Sequence, residues 1–201
     1  MPRELCPNCH YPLISCLCDS IKHISHETRV SILQHPSEVK NKKNTVRLLE
    51  LASSEIKTYV GETENDFQSV KQQLEDDTYL HLLLFPSETA QNWQHYSNKV
   101  DSDKKIHLIV LDGTWRKAKK ILLLNSWLSA LPHLILDSFY QSQYGIRKTN
   151  IEGGLSTLEA VAYTLQQIEQ LDSKPFFELL DAFKHAFTKQ MPENVKQRYK
   201  E

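Results

Sequence analysis

An acid, a threonine, a tryptophan and a run of bases stand together in Leu111-Asp112-Gly113-Thr114-Trp115-Arg116-Lys117-Ala118-Lys119-Lys120. A carboxylate can hold or take a proton, an indole can stack on a planar ring or face a cation, and guanidinium and ammonium groups bind phosphate. The combination suits an anionic substrate. The apolar run Ile106–Leu111 before it has the length and composition of a buried strand, which puts Asp112 just past a strand's carboxyl end. Gly113 permits a tight turn, and Thr114 can N-cap a helix running through Arg116, Ala118 and Ile121. In open α/β sheets ligands bind in the crevice outside such strand ends. The same residues also make an ordinary capped helix with a solvated basic face, and these two readings stay open.

All 4 cysteines of the chain fall at Cys6, Cys9, Cys16 and Cys18. The spacing C-x2-C-x6-C-x-C offers four soft ligands, enough for a tetrahedral zinc with no open coordination position, and hence a structural site. Pro7 and Asn8 suit a knuckle turn, and His10 stands outside the ligand set. Disulfides are the main alternative, but nothing points to an oxidising compartment, and a thioredoxin-type redox pair is a weaker one, since no βαβ context surrounds Cys6 and Cys9.

Two further groups belong to the inventory. Pro36 ends a strand after Gln34-His35, setting His35 and Glu38 at its carboxyl end, where His35 can move a proton, bond a ligand, or simply sit in a loop. Ser156-Thr157-Leu158-Glu159 fits a capping box, and a helix start preceded by Gly153 and Gly154 is also an anion site. Arg147 and Lys148, in the loop before it, can bind phosphate or stack on a base.

The elements that must position these groups read as alternating strands and helices. Strands are expected at Arg29–Gln34, Ile56–Val60, Tyr79–Phe85, Ile106–Leu111 and His133–Asp137. Helices are expected near Asn44–Ser54, Asp66–Leu74, from Thr114, at Ser156–Leu171 and from Pro175 to about Lys189. That order gives an α/β fold with a mostly parallel sheet. Ser87–Asp103 reads as a polar connection and 138–154 as a long loop of the kind that is often functional.

With 201 residues, 40% hydrophobic and 24% charged, the chain reads as a soluble globule: one domain with a single core, or a domain plus a small appendage. A head over residues 1–24 and a body over 25–201 follow. The first residues lack the apolar core of a signal peptide, and the longest apolar runs are too short to cross a bilayer, so a cytoplasmic protein without membrane contact is expected. Net charge is −1, yet bases cluster at Lys40, Lys42, Lys43 and Arg47, at Arg116–Lys120, and at Arg147 and Lys148. One basic face is expected rather than a uniformly cationic surface.

Asp112-Gly113-Thr114-Trp115 resembles the Asp-x-Thr-Trp signature of the DTW-domain family. Three more elements resemble that family in its order: the cysteine cluster, Gln34-His35-Pro36-Ser37-Glu38, and Ser156-Thr157-Leu158-Glu159-Ala160. They span residues 6–160. The resemblance implies a tRNA-uridine aminocarboxypropyltransferase, which moves the 3-amino-3-carboxypropyl group of S-adenosylmethionine (SAM) onto N3 of a uridine and releases methylthioadenosine. It also implies a SPOUT-like fold with a carboxyl-terminal trefoil knot and a four-cysteine zinc-binding head. Asp112, by its place at the strand end, is the catalytic candidate, and the alternative is a helix-start carboxylate placed there by the dipole. By the same resemblance Leu111, Thr114, Trp115, Ser156, Thr157 and Glu159 would bind SAM, and His35, Arg116, Lys117, Arg147 and Lys148 would bind the RNA. No redox cofactor, catalytic metal or obligatory protein partner is called for. A SPOUT-like RNA methyltransferase is the nearest enzymatic alternative, since no G-x-G-x-x-G loop is present; a non-catalytic zinc-bearing RNA-binding module is another.

Overall fold

The computed structural model describes residues 4–100, 103–137, 140–144 and 154–189. Five strands, β1 (Arg29–Gln34), β2 (Ile56–Val60), β3 (Tyr79–Leu84), β4 (Lys105–Asp112) and β5 (His133–Leu134), form one sheet in the order β2-β1-β4-β3-β5. Every pairing is parallel. The central strands β1 and β4 are buried along almost their whole length, as expected of parallel strands covered on both faces.

Side-chain alternation along these strands separates two cores. On one face Val30, Ile32, Leu108 and Val110 pack with helices α1 (Val46–Ala52), α6 (Thr157–Glu169) and α7 (Lys174–Lys189). On the other, Leu33, Leu83 and Ile109 meet α2 (Gln68–Gln73), α4 (Trp115–Leu124) and the one-turn α5 (Ser126–Ser129). Each fully buried aliphatic side chain contributes about 1.5–3 kcal/mol relative to exposure. Leu17 and Ile24 join the first core, and the Ile24 N–H bonds the Ala52 carbonyl at 2.8 Å. The amino-terminal head thus folds down onto the body.

The topology fixes where a ligand crevice belongs. From β1 the chain moves to β2 on one side; from β4 it passes over β3 to β5 on the other. The two paths diverge at the paired residues Gln34 and Asp112, which end β1 and β4. This is the topological switch point of the sheet.

Several elements differ from the sequence reading, among them β3, which ends at Leu84 instead of Phe85, and the one-turn α5, which the reading lacks. β5 stops at Leu134 instead of Asp137: it pairs with β3 only at Leu83 and Leu84, and the Ile135 N–H turns to the Gln91 carbonyl. A short helix, α3 (Trp93–Ser97), interrupts the segment read as a polar connection, started by the Asn92 side chain accepting from the His95 N–H. Asp112 is the last residue of β4 rather than the first of the turn.

The second face also carries a polar row near the amino ends of its strands. Ser31, His107 and His81 lie on β1, β4 and β3, with Ser31 Oγ 2.8 Å from His107 Nε2 and His107 Nδ1 2.9 Å from His81 Nδ1. His81 Nε2 faces the Asp76 carbonyl at 3.1 Å, and a carbonyl only accepts. His81 Nδ1 must therefore accept from His107 Nδ1–H, and His107 Nε2 must accept from Ser31 O–H. Burial, together with the neighbouring His81 and Arg29, pushes His107 down to about 3.

Candidate functional site

At the switch point the Asp112 carboxylate is 1% exposed and meets three neutral donors. Oδ2 accepts from Gln34 Nε2 at 3.0 Å and from Asn44 Nδ2 at 2.8 Å, while Oδ1 accepts from Thr157 Oγ at 2.5 Å. The orientation of Asn44 is fixed by its other atom, since Asn44 Oδ1 accepts from the Val46 N–H at 2.9 Å. Asn44 lies just before α1 and binds its first N–H, Thr157 opens α6 and Gln34 ends β1, so one carboxylate gathers three elements.

The start of α6 is held from a second side. Ser156 caps the helix and Glu159 completes the capping box, accepting from the Ser156 N–H at 2.7 Å. Glu159 is fully buried and also accepts from Ser142 Oγ and from the Gln143 N–H at 2.5 Å. Its carboxylate is thereby spent on tying loop 140–144 to α6. Tyr144, buried in the same loop, donates to the Lys43 carbonyl at 2.6 Å. Of the first amides of α6, Leu158 N–H goes to Thr45 Oγ1 and Glu159 N–H to Ser156 Oγ.

On the α4 side of the rim the backbone N–H of His35 donates to the Asp112 carbonyl at 2.9 Å. Ser37 N–H donates to His35 Nδ1, so Nε2 carries the proton that faces Glu62 Oε1 at 2.5 Å. Lys120, 2.5 Å from the other oxygen of Glu62, holds that carboxyl below its ordinary range, with His35 adding to the effect. Both ring nitrogens of His35 are thus engaged by the protein. Gly113 sits close to its neighbours: a Cβ there would lie 3.0 Å from Lys117 Cβ, which would have to give by a few tenths of an ångström, and at ordinary contact, 3.5 Å, from His35 Cβ.

The predicted basic residues divide. Lys117 pairs with buried Glu38 at 3.0 Å, joining α4 to the turn after β1. Arg47 donates to the Cys9 carbonyl at 2.9 Å and lies over the Tyr11 ring, which ties α1 to the head. Arg116, Lys119, Lys40 and Lys42 stay exposed on the rim. Trp115, 39% exposed, stacks on Phe85 with centroids 5.1 Å apart and planes 1° from parallel, and Lys119 approaches its ring. Thr114 caps α4 through its backbone position without a side-chain bond, and Leu111 packs toward the α4 face. Arg147 and Lys148 lie outside the described residues. Asn44, Glu62 and the Lys117 partner Glu38 went unassigned or only half-assigned in the sequence. Glu38 carried a signal, being an acid set by Pro36 beside a strand end.

The four cysteine sulfurs lie within 4.8 Å of one another, Cys6 and Cys18 at 3.5 Å and Cys9 and Cys16 at 3.7 Å. Tetrahedral thiolate ligands at about 2.3 Å from zinc sit roughly 3.8 Å apart, so the residues fit such an ion, whereas a disulfide needs about 2 Å. His10, at φ 54°, turns the chain through the left-handed region and sends its N–H back to the Cys6 carbonyl. The backbone N–H groups of Cys9 and Asn8 pull Cys6 down to about 6, while the crowding thiols of Cys16 and Cys6 push Cys18 up to about 12. A dication is what would let all four ionise together.

Among the described residues no helix is long and apolar enough to cross a membrane. No solved structure matches the chain. Among characterised proteins, it is 31% identical over 83% of its length to tRNA-uridine aminocarboxypropyltransferase 2 of Drosophila melanogaster, covering 67% of that protein. It is 30% identical to the protein of the same name from Macaca fascicularis, over 84% of this chain and 57% of the relative. It is 26% identical to tRNA-uridine aminocarboxypropyltransferase A of Arabidopsis thaliana, over 83% of this chain and 73% of the relative. The chain thus spans little more than half of the macaque relative and about two thirds of the fly one. Residues 3–191 match the DTW domain, and with its signature acid at the switch point of a parallel sheet, the chain belongs to the DTW-domain family.

Proposed function

We propose that this protein transfers the 3-amino-3-carboxypropyl group of SAM to N3 of a uridine in tRNA. The observation that carries the reading is the buried Asp112 carboxylate at the switch point, packed against the amino end of α6. The reaction needs what this arrangement offers. The carbon–sulfur bond breaks with its electrons leaving on sulfur, an N3–carbon bond forms, and the N3 proton must find an acceptor. Asp112 is that acceptor. The positive end of the α6 dipole favours the carboxylate of the methionine part, which meets it at Thr157, because the Ser156, Leu158 and Glu159 N–H groups are bonded within the protein. Leu111 and Thr114 line the β4–α4 turn beside it, and Glu159 shapes the pocket by fixing loop 140–144.

Trp115, half-free on its Phe85 support, is the stacking platform for the uracil. Arg116 and the exposed lysines of the rim, with Arg147 and Lys148, take tRNA phosphates, while His35 and Lys117 hold the rim through Glu62 and Glu38. The SPOUT-like knot belongs to the same reading. Its support is the return of the chain from β5 to the ends of β1 and β4, where Thr157 meets Asp112. The cysteine head holds a structural zinc, ligated by Cys6, Cys9, Cys16 and Cys18, that braces the start of α1 through Arg47.

The test is transfer from SAM to unmodified tRNA, run in parallel with label on the carboxyl carbon and on the methyl carbon. Carboxyl label in the RNA with release of methylthioadenosine supports the proposal. Methyl label alone replaces it with methyl transfer, and tRNA binding without either label leaves a binding module. Elemental analysis of the purified chain is expected to give about one zinc, and Cys9→Ser is expected to lower both zinc content and melting temperature. A fully folded, metal-free wild type removes the zinc assignment.

A further inference from the structure

The geometry points to Thr157 as a catalytic residue: its hydroxyl is the relay through which the uridine N3 proton reaches Asp112. This rests on the aminocarboxypropyl-transfer reading above. Asp112 is 1% exposed, so a substrate docked at the rim does not touch it, whereas Thr157 is only partly buried. The two carboxylate oxygens are also unequal. Oδ2 is held by two amide donors that cannot reverse. Asn44 must present Nδ2 because its Oδ1 accepts from the Val46 N–H, and Gln34 Nε2 faces both Asp112 Oδ2 and Asn44 Oδ1, two acceptors. An arriving proton therefore lands on Oδ1.

The partner of Oδ1 is Thr157 Oγ at 2.5 Å, and a hydroxyl, unlike an amide, can donate in one state and accept in the next. The Thr157 backbone is pinned by the Ser156–Glu159 capping box and by the neighbouring Leu158 N–H on Thr45 Oγ1, so the hydroxyl is held in place without help from substrate.

The step balances. As N3 bonds to the aminocarboxypropyl carbon, the carbon–sulfur electron pair leaves with sulfur, turning the sulfonium into a neutral thioether. The N3 proton passes to Thr157 Oγ, and the proton already on Thr157 passes to Asp112 Oδ1. Asp112 ends as the neutral acid and later returns its proton by the reverse route to solvent. The positive charge lost from sulfur is the proton released.

Thr157→Val keeps the shape of the side chain and removes the hydroxyl; Thr157→Ser keeps the hydroxyl. In transfer assays on the full chain, the valine variant is expected to lose about 100-fold or more in kcat with KM for SAM and tRNA little changed, and serine to restore most of it. The valine variant should also recover as the pH rises toward the range where the uracil imide ionises by itself, while the wild type stays flatter. A proton inventory on wild-type single turnovers checks the relay without any variant: two protons in flight give a curved dependence on deuterium fraction. A linear inventory, or a valine variant with wild-type kcat, overturns the relay while leaving the transferase reading intact. Absence of carboxyl-label transfer by the wild type overturns that reading itself.

Discussion

Asp112→Asn is expected to abolish transfer, roughly 10³-fold or more in kcat, while the protein stays folded with its tRNA affinity intact. The hydrogen-bond directions around the carboxylate give the reason. Gln34 and Asn44 both donate to Oδ2, so an asparagine at 112 must keep its oxygen on that side and turn its Nδ2 toward Thr157. The Thr157 hydroxyl then reverses and accepts. The displaced Thr157 O–H turns to solvent, the three elements stay tied, and what disappears is the ability to take a proton. Asp112→Ala is the less informative change, because it takes the shared acceptor from Asn44, Thr157 and Gln34, of which only Gln34 keeps a second one, Asn44 Oδ1, at about 1–3 kcal/mol for a buried donor left unpaired. Its loss of activity would mix chemistry with the loosening of α1 and α6. The measurement is kcat for carboxyl-label transfer beside thermal melting and tRNA binding. Near-normal turnover by Asp112→Asn would falsify the role of Asp112 as proton acceptor.

That argument also marks how far the sequence could be read. The place of Asp112 was legible because a buried strand, a glycine turn and a helix cap follow one another within a few residues. The capping box was equally plain, since its two residues are three apart and both belong to one helix. What the sequence left out is long-range. Asn44 lies 68 positions from Asp112, and nothing in its neighbourhood marks it as more than a polar residue before a helix. Glu62 binds Lys120 across 58 positions, and Lys117 binds Glu38 across 79. Charges that looked like a basic face are in part internal ties, which only the folded chain reveals. The fold divides along the same line. Strands with unbroken apolar runs were found to within a residue or so, while β5, α3 and α5 owe their extent to a few tertiary contacts rather than to local pattern.

The second large effect lies away from the site, in the Ser31–His107–His81 row. His107 is fully buried and neutral in the folded protein, held down to about 3 against an ordinary value of 6.5. The unfolded chain protonates it near 6.5, the folded chain only near 3. The stability this group leaves in place is therefore complete above pH 6.5 and is lost as the pH falls from there toward 3. The loss from this residue alone is about 2–3 kcal/mol by about pH 4.5 and about 4 kcal/mol by about pH 3. His81 is lowered in the same direction, by burial first, and adds to the effect. His107→Gln supplies a neutral donor and acceptor in the same place, one for His81 Nδ1 and one for Ser31 Oγ. At about pH 7 that variant is expected to be the weaker, by about 1–2 kcal/mol, because a flexible amide replaces a rigid ring in a packed sheet. At about pH 4.5 the order should reverse. Denaturant unfolding of both proteins across this range gives the answer as a difference, so the carboxylates and cysteines that titrate in both cancel. Parallel curves would mean that His107 carries no proton linkage, and that acid sensitivity, if present, comes from the head or the surface.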